Sequence, residues 1–218
     1  MELTEVESVT SIATDIIQAV AVVVAALIAG RGLTAWRDQL IGGKLLELAE
    51  ETLVAAYDAY DSLQRARMSG AFGGEGASRP RGDGEDAEVE RRRDGYYVPI
   101  ERLRAEATSF ERLRSAKARC RIYFGENSST NFNTLLSAQF RIAAAAHFLI
   151  RNVGEEDRGT PEVIERRYQK IDEYEKIIWD SGSEEEPDEF TQRLRDALKS
   201  IDNLLRPHLK ITKDLQQP

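Results

Sequence analysis

The sequence predicts an all-α protein, with an N-terminal transmembrane helix followed by an antiparallel bundle of about five helices. Three observations predict it. The run Ile16 to Gly30 (IIQAVAVVVAALIAG) is apolar apart from Gln18, in a chain that is only 41% hydrophobic. Downstream, apolar residues recur at steps of three and four, the period of a helix with one buried face. Nowhere do β-branched residues alternate with polar ones as a half-buried strand requires.

The first element is set by the bilayer. Residues 1–8 form a short acidic N-terminus with Glu2, Glu5 and Glu7. Fifteen residues of helix span about 22 Å against a hydrocarbon core of about 30 Å, so the crossing also takes in Val9 to Asp15. The expected transmembrane helix is therefore 9–31. A cleaved signal peptide would need a basic leading region, and no Lys or Arg precedes Arg31. A buried soluble helix would need more surrounding core than this charged chain offers. Arg31, Arg37 and Lys44 follow the run, which by the positive-inside rule leaves the N-terminus outside and the C-terminal body in the cytoplasm. Trp36 then serves as an interface anchor. Asp15, Gln18, Val22, Ala25 and Ala29 recur at helical steps and form a packing face on which small residues permit close approach of another helix. That face suits self-association or an oligomeric pore, while a lone anchor would let Asp15 reach the interface by snorkelling.

Residues 32–68 hold a juxtamembrane segment and, after Gly42-Gly43, the first bundle helix from Lys44 to Met68. Its apolar face carries Leu45, Leu48, Ala49, Leu53, Ala56, Tyr57, Tyr60 and Leu63. Seven of the fifteen glycines then fall between Ser69 and Gly95 among many charges, so 69–96 is expected to be a flexible loop in which no apolar face can form. The remaining helices occupy 97–212. The first carries Ile100, Leu103, Ala107, Phe110, Leu113, Ala116, Cys120 and Phe124, and it ends at Gly125. The next carries Phe132, Leu136, Phe140, Ala143, His147 and Ile150. Thr160-Pro161 starts a helix with Ile164, Tyr168, Ile171, Tyr174 and Ile178. The last begins near Pro187 and carries Phe190, Leu194, Leu198, Ile201, Leu205 and Leu209, leaving 213–218 as a tail. Short connections between these coiled-coil-like faces suit up-and-down packing.

Chemistry is sparse. A net charge of −8 and a pI near 5.0 argue against a nucleic-acid surface, which needs clustered Lys and Arg. One cysteine cannot form an internal disulfide or a thiolate metal site, and two histidines leave little for metal or triad chemistry. In the Glu-x-x-His spacing of bundle di-iron sites, Ala144 precedes His147 and Leu205 precedes His208, so both pairs fail. His147 reads as a core or edge histidine and Cys120 as a small buried hydrophobe. Glu184 to Glu186 solvates a helix entry, and Arg91 to Arg93 is offset by Asp86, Glu88, Glu90 and Asp94. No catalytic, metal or cofactor residues are expected.

Several segments together resemble a group of uncharacterised bacterial proteins with one membrane span and a helical cytosolic region. They are the N-terminal apolar span, Trp36-Arg37, Leu48-Ala49-Glu50-Glu51-Thr52-Leu53 with Tyr57 and Asp61, the Gly-Glu-rich loop, Tyr97-Val98-Pro99-Ile100-Glu101-Arg102-Leu103, and Phe124-Gly125. The resemblance covers most of the chain, implies an inner-membrane location and transfers no catalytic residue. The sequence therefore points to a non-enzymatic, membrane-anchored helical module whose partners are the lipid bilayer and either another protein or further copies of itself. The alternative is an oligomeric pore or membrane-perturbing effector built on the transmembrane helix.

Overall fold

A computed structural model describes residues 2–82 and 84–214. Their side chains are described from 20 to 209, apart from positions 83 and 127, together with that of Gln18. The side chain of Asp15 and residues 215–218 of the expected tail lie outside this set. The regular structure among the described residues is all helical, with no strand: α1 (Glu2–Arg67), α2 (Ala87–Ala105), α3 (Ala107–Phe124), a 3₁₀ turn at Glu126–Ser129, α4 (Thr130–Asn152), α5 (Pro161–Ile178) and α6 (Glu189–Asp214). The chain divides into two units, residues 1–47 and 48–218.

In the first unit, α1 runs without interruption through Gly42 and Gly43, where the sequence reading began a separate helix. Two glycines cost a helix about 1 kcal/mol each, and no proline or capping signal adds to them. One stretch of α1 is long and apolar enough to cross a membrane, and none of that stretch is buried.

In the second unit, α4 packs against α2, α3, α5 and α6. The core it shares holds Phe110, Leu113, Phe132, Leu135, Ile142, Leu149, Ile201 and Leu205. The last part of α1 lies antiparallel to α3, since Glu51, Asp58 and Ser62 meet Arg119, Arg112 and Glu106 in that order. It is also antiparallel to α6, where Tyr60 meets Arg195 and Arg67 meets Thr191. Alanines 49, 55, 56, 59 and 66 are all buried along it, so neighbouring helices come close without large side chains intervening.

Three expectations need correction. The helix expected to begin near Tyr97 starts at Ala87, with Asp86 as its N-cap accepting the Glu88 N–H at 2.9 Å, so 87–96 of the expected loop is helical. That helix and the one ending at Phe124 are separate, with the break at Glu106. No Gly or Pro marks this break. It is set by tertiary contacts, because Ser62 and Arg65 of α1 hold the Glu106 carboxylate. On α4 the expected face is right in part. Phe132 and Leu136 are buried and Ala143 and Ile150 pack against the core, but the buried face extends to Leu135, Ala138, Ile142, Ala145, Ala146 and Leu149, whereas Phe140 is 65% exposed and His147 is exposed as well.

Candidate functional site

The expected packing face can be located only in part. Gln18, Val22, Ala25 and Ala29 are exposed, as is the anchor Trp36. Exposure of a whole helical face is what a lipid-facing or helix-pairing surface requires.

Within the body, the buried charged side chains are arginines, Arg67 and Arg79, which sequence reading passed over. Arg67 ends α1 and is 1% exposed. Its Nε donates to the Ile177 carbonyl at 2.8 Å, and its Nη2 donates to the carbonyls of Lys176 and Trp179 at 2.8 and 2.9 Å. These belong to the last turn of α5, whose terminal carbonyls have no partner within their own helix. Nη2 also meets Asp188 at 2.7 Å and Nη1 donates to Thr191 at 2.5 Å, while the guanidinium lies 4.6 Å from the Phe190 ring centre. Asp188 in turn caps α6, accepting the Thr191 N–H at 2.7 Å. Burial alone would raise the Asp188 carboxyl, but the Arg67 guanidinium and the Thr191 N–H outweigh it and hold it well below the usual carboxylate range. One side chain thus joins the ends of α1 and α5 to the start of α6. A signal for it was present: Arg67 follows Leu63 by four, in register with the apolar face.

A second node fixes the Gly-rich segment. Arg102 of α2 donates to the carbonyls of Arg65, Met68 and Gly70 at 3.2, 2.7 and 2.9 Å, closing the C-terminal end of α1, and it pairs with Glu75 at 2.7 Å. Its hydrogen bond draws the Glu75 carboxyl below its ordinary pKa. Gly76 donates to Glu101 and packs on the backbone of Asp94, so closely that a Cβ there would lie 2.2 Å from the Asp94 carbonyl oxygen.

The third node is Arg79, 7% exposed, which binds Glu85 at 2.6 Å and Asp94 at 2.8 Å. Arg93 also reaches Glu85, and Arg81 reaches Asp94 and Glu90. Hydrogen bonding from Arg79, with help from Arg93, holds the Glu85 carboxyl down at about 2. Residues 69–82 and 84–86 therefore form a strap laid on the side of α2 that carries Asp94, Val98 and Glu101. The placement explains why Tyr97, Val98, Pro99 and Ile100 are all buried although four consecutive helix positions point almost all the way round. The expectation that this segment forms no face is corrected for 69–86 too. Ion pairs and close backbone contact, rather than apolar side chains, hold it.

Cys120 is fully buried, its Sγ 3.6 Å from Thr52 Oγ1, and burial raises its thiol pKa. Tyr96 donates to Glu175, and burial together with that carboxylate pushes its hydroxyl up to about 12. Among the described residues no three His, Cys, Asp or Glu side chains gather as a metal site. Two open surface depressions are present, of about 570 Å³ beside Phe72, Glu90 and Asp94 and about 460 Å³ beside Asp61, Met68 and Asp180. The carboxylates of Glu75, Glu90 and Asp94 in the first are already paired with arginines. In comparisons with known protein families, curated proteins and solved structures, nothing matches this chain.

Proposed function

We propose that this protein is a membrane-anchored helical module that acts by binding a protein partner or further copies of itself, without a catalytic step. The observation that carries the reading is the contrast within the chain. The apolar stretch of α1 has no burial of its own, while residues 48–218 have a core that does not draw on it. An apolar helix left exposed is stable in lipid and costly in water. Arg31, Arg37 and Lys44 after the stretch support a body on the cytoplasmic side. A scaffold is supported by Arg67, Arg79 and Arg102, whose guanidinium groups bind helix ends and the strap. Chemical cross-linking of the full chain in native membranes, followed by mass measurement in detergent, tests the reading. A defined species above the monomer mass is expected. A chain that stays monomeric and uncross-linked contradicts it.

A further inference from the structure

We infer that the C-terminal end of α3 docks on an anionic phospholipid surface, through Ile122 and Tyr123 framed by arginines. This rests on the membrane-anchored reading above and names a second contact with the same bilayer. Helix α3 carries five basic side chains against one acidic, in a chain of net charge −8. Ala118 and Ile122 line up at spacing four on the side turned away from both α1 and α4, with Glu111 in the same row two turns back from Ala118. Arg114 and Arg121 border that line on one flank at spacing seven, Arg112 and Arg119 on the other, and Tyr123 lies next to Arg119 at the tip. Ile122 is 78% exposed and Tyr123 52%. An aliphatic and a tyrosine at the tip of a convex basic helix are the side chains that settle at the headgroup boundary.

The cations can be exchanged. Arg112 and Asp58 are 3.8 Å apart, Arg119 meets Glu51 at 2.7 Å, and Arg121 pairs with Glu126, all with both partners at least two-fifths exposed. Pairs so open to water hold weakly, and lipid phosphates can replace the carboxylates. Lys117 meets only the neutral Asn133, and Arg114 has no acidic partner among the described residues.

The test uses the full chain with Ala118→Cys carrying a fluorophore, Cys120 being too buried to react. It is reconstituted into vesicles of phosphatidylcholine alone, or of phosphatidylcholine with phosphatidylglycerol, each containing doxyl-labelled lipid. Quenching is expected to be about threefold stronger in the anionic vesicles and to vanish near 1 M salt, where the screening length falls to about 3 Å. Ile122→Asp and Arg114→Glu with Arg121→Glu, all at exposed sites, should abolish it. Equal quenching in both vesicles, from a chain that floats with both, overturns the docking and leaves the anchor standing. Flotation with anionic vesicles only removes the anchor and keeps the docking. Flotation with neither removes both. Self-quenching between labelled chains that ignores lipid charge assigns the face to a second copy and overturns the inference.

Discussion

Replacing Arg67 by Ala should be the most damaging single change in the body. The guanidinium serves three carbonyls of α5 at 2.8 to 2.9 Å, Thr191 at 2.5 Å and Asp188 at 2.7 Å, and all of these are lost together. What remains is the Asp188 carboxylate, only 14% exposed, without its counter-charge, and a buried helix end without donors. Removing one partner of a buried pair costs about 3–5 kcal/mol. For a domain of this size each kcal/mol lowers Tm by about 2–4 °C, so a fall of roughly 6–20 °C is expected. Asp188→Asn keeps the α6 cap and removes only the charge, and should cost about 1.5–3 kcal/mol. Because both residues belong to one network, Arg67→Ala combined with Asp188→Asn should cost less than the two single changes added. Urea unfolding in detergent, read through Trp179 fluorescence in a Trp36→Phe background, measures each value. A loss below about 1 kcal/mol for Arg67→Ala would refute the clamp.

The strap yields two further expectations. Gly76→Ala meets the Asp94 carbonyl oxygen at 2.2 Å from a backbone at φ +84°, so it should release 69–86 and make Arg79 and Arg81 cleavable by trypsin, with unfolding of the bundle shifted by only about 1–2 kcal/mol. In the unaltered protein Arg79 should be cut far more slowly than the exposed Arg114. Acid should act on the same segment. Glu85 is held at about 2 against an ordinary value of 4.5, and a lowered carboxylate contributes stability above its unfolded pKa that is lost as pH falls through the folded one. The strap should therefore stay closed above about pH 4.5 and open between there and about pH 2, read by pepsin cleavage inside 69–86; opening near neutral pH would contradict the network. In the apolar segment, Asp15→Ala and Ala25→Leu separate tether from pore. A tether leaves cross-linked oligomer yield unchanged, whereas a pore built on that face loses interhelical bonds of about 0.6–2 kcal/mol each, and both oligomers and conductance fall.

The amphipathic faces carried most of the fold. On α6 the positions expected inside, from Phe190 to Leu205, are the ones buried, because an edge helix with one wide apolar stripe leaves little freedom in its orientation. On α4 Phe132 and Leu136 were placed correctly but Phe140 and His147 were not, since alanines at 143 to 146 give four weak and nearly equivalent choices and only the packing of α2, α5 and α6 selects among them. The break at Glu106 and the strap at 69–86 were illegible for a shared reason: both are held by charged groups far apart in sequence, Arg65 with Glu106, Arg102 with Glu75 and Arg79 with Asp94. Composition reads such segments as solvated, because the cost of burying a charge vanishes only once its partner is known. Arg67 lay closest to being legible, as a lone guanidinium at the next core position of α1, but its acceptors are main-chain carbonyls that no side-chain pattern announces.

The account stands or falls on the exposed apolar stretch of α1 lying in lipid. Sodium carbonate extraction of membranes from cells producing the full chain measures this directly, since alkaline carbonate strips proteins held by surface charge and leaves those that span. The chain is expected to remain wholly in the membrane pellet. Release into the supernatant, or recovery in the soluble fraction without detergent, would contradict it.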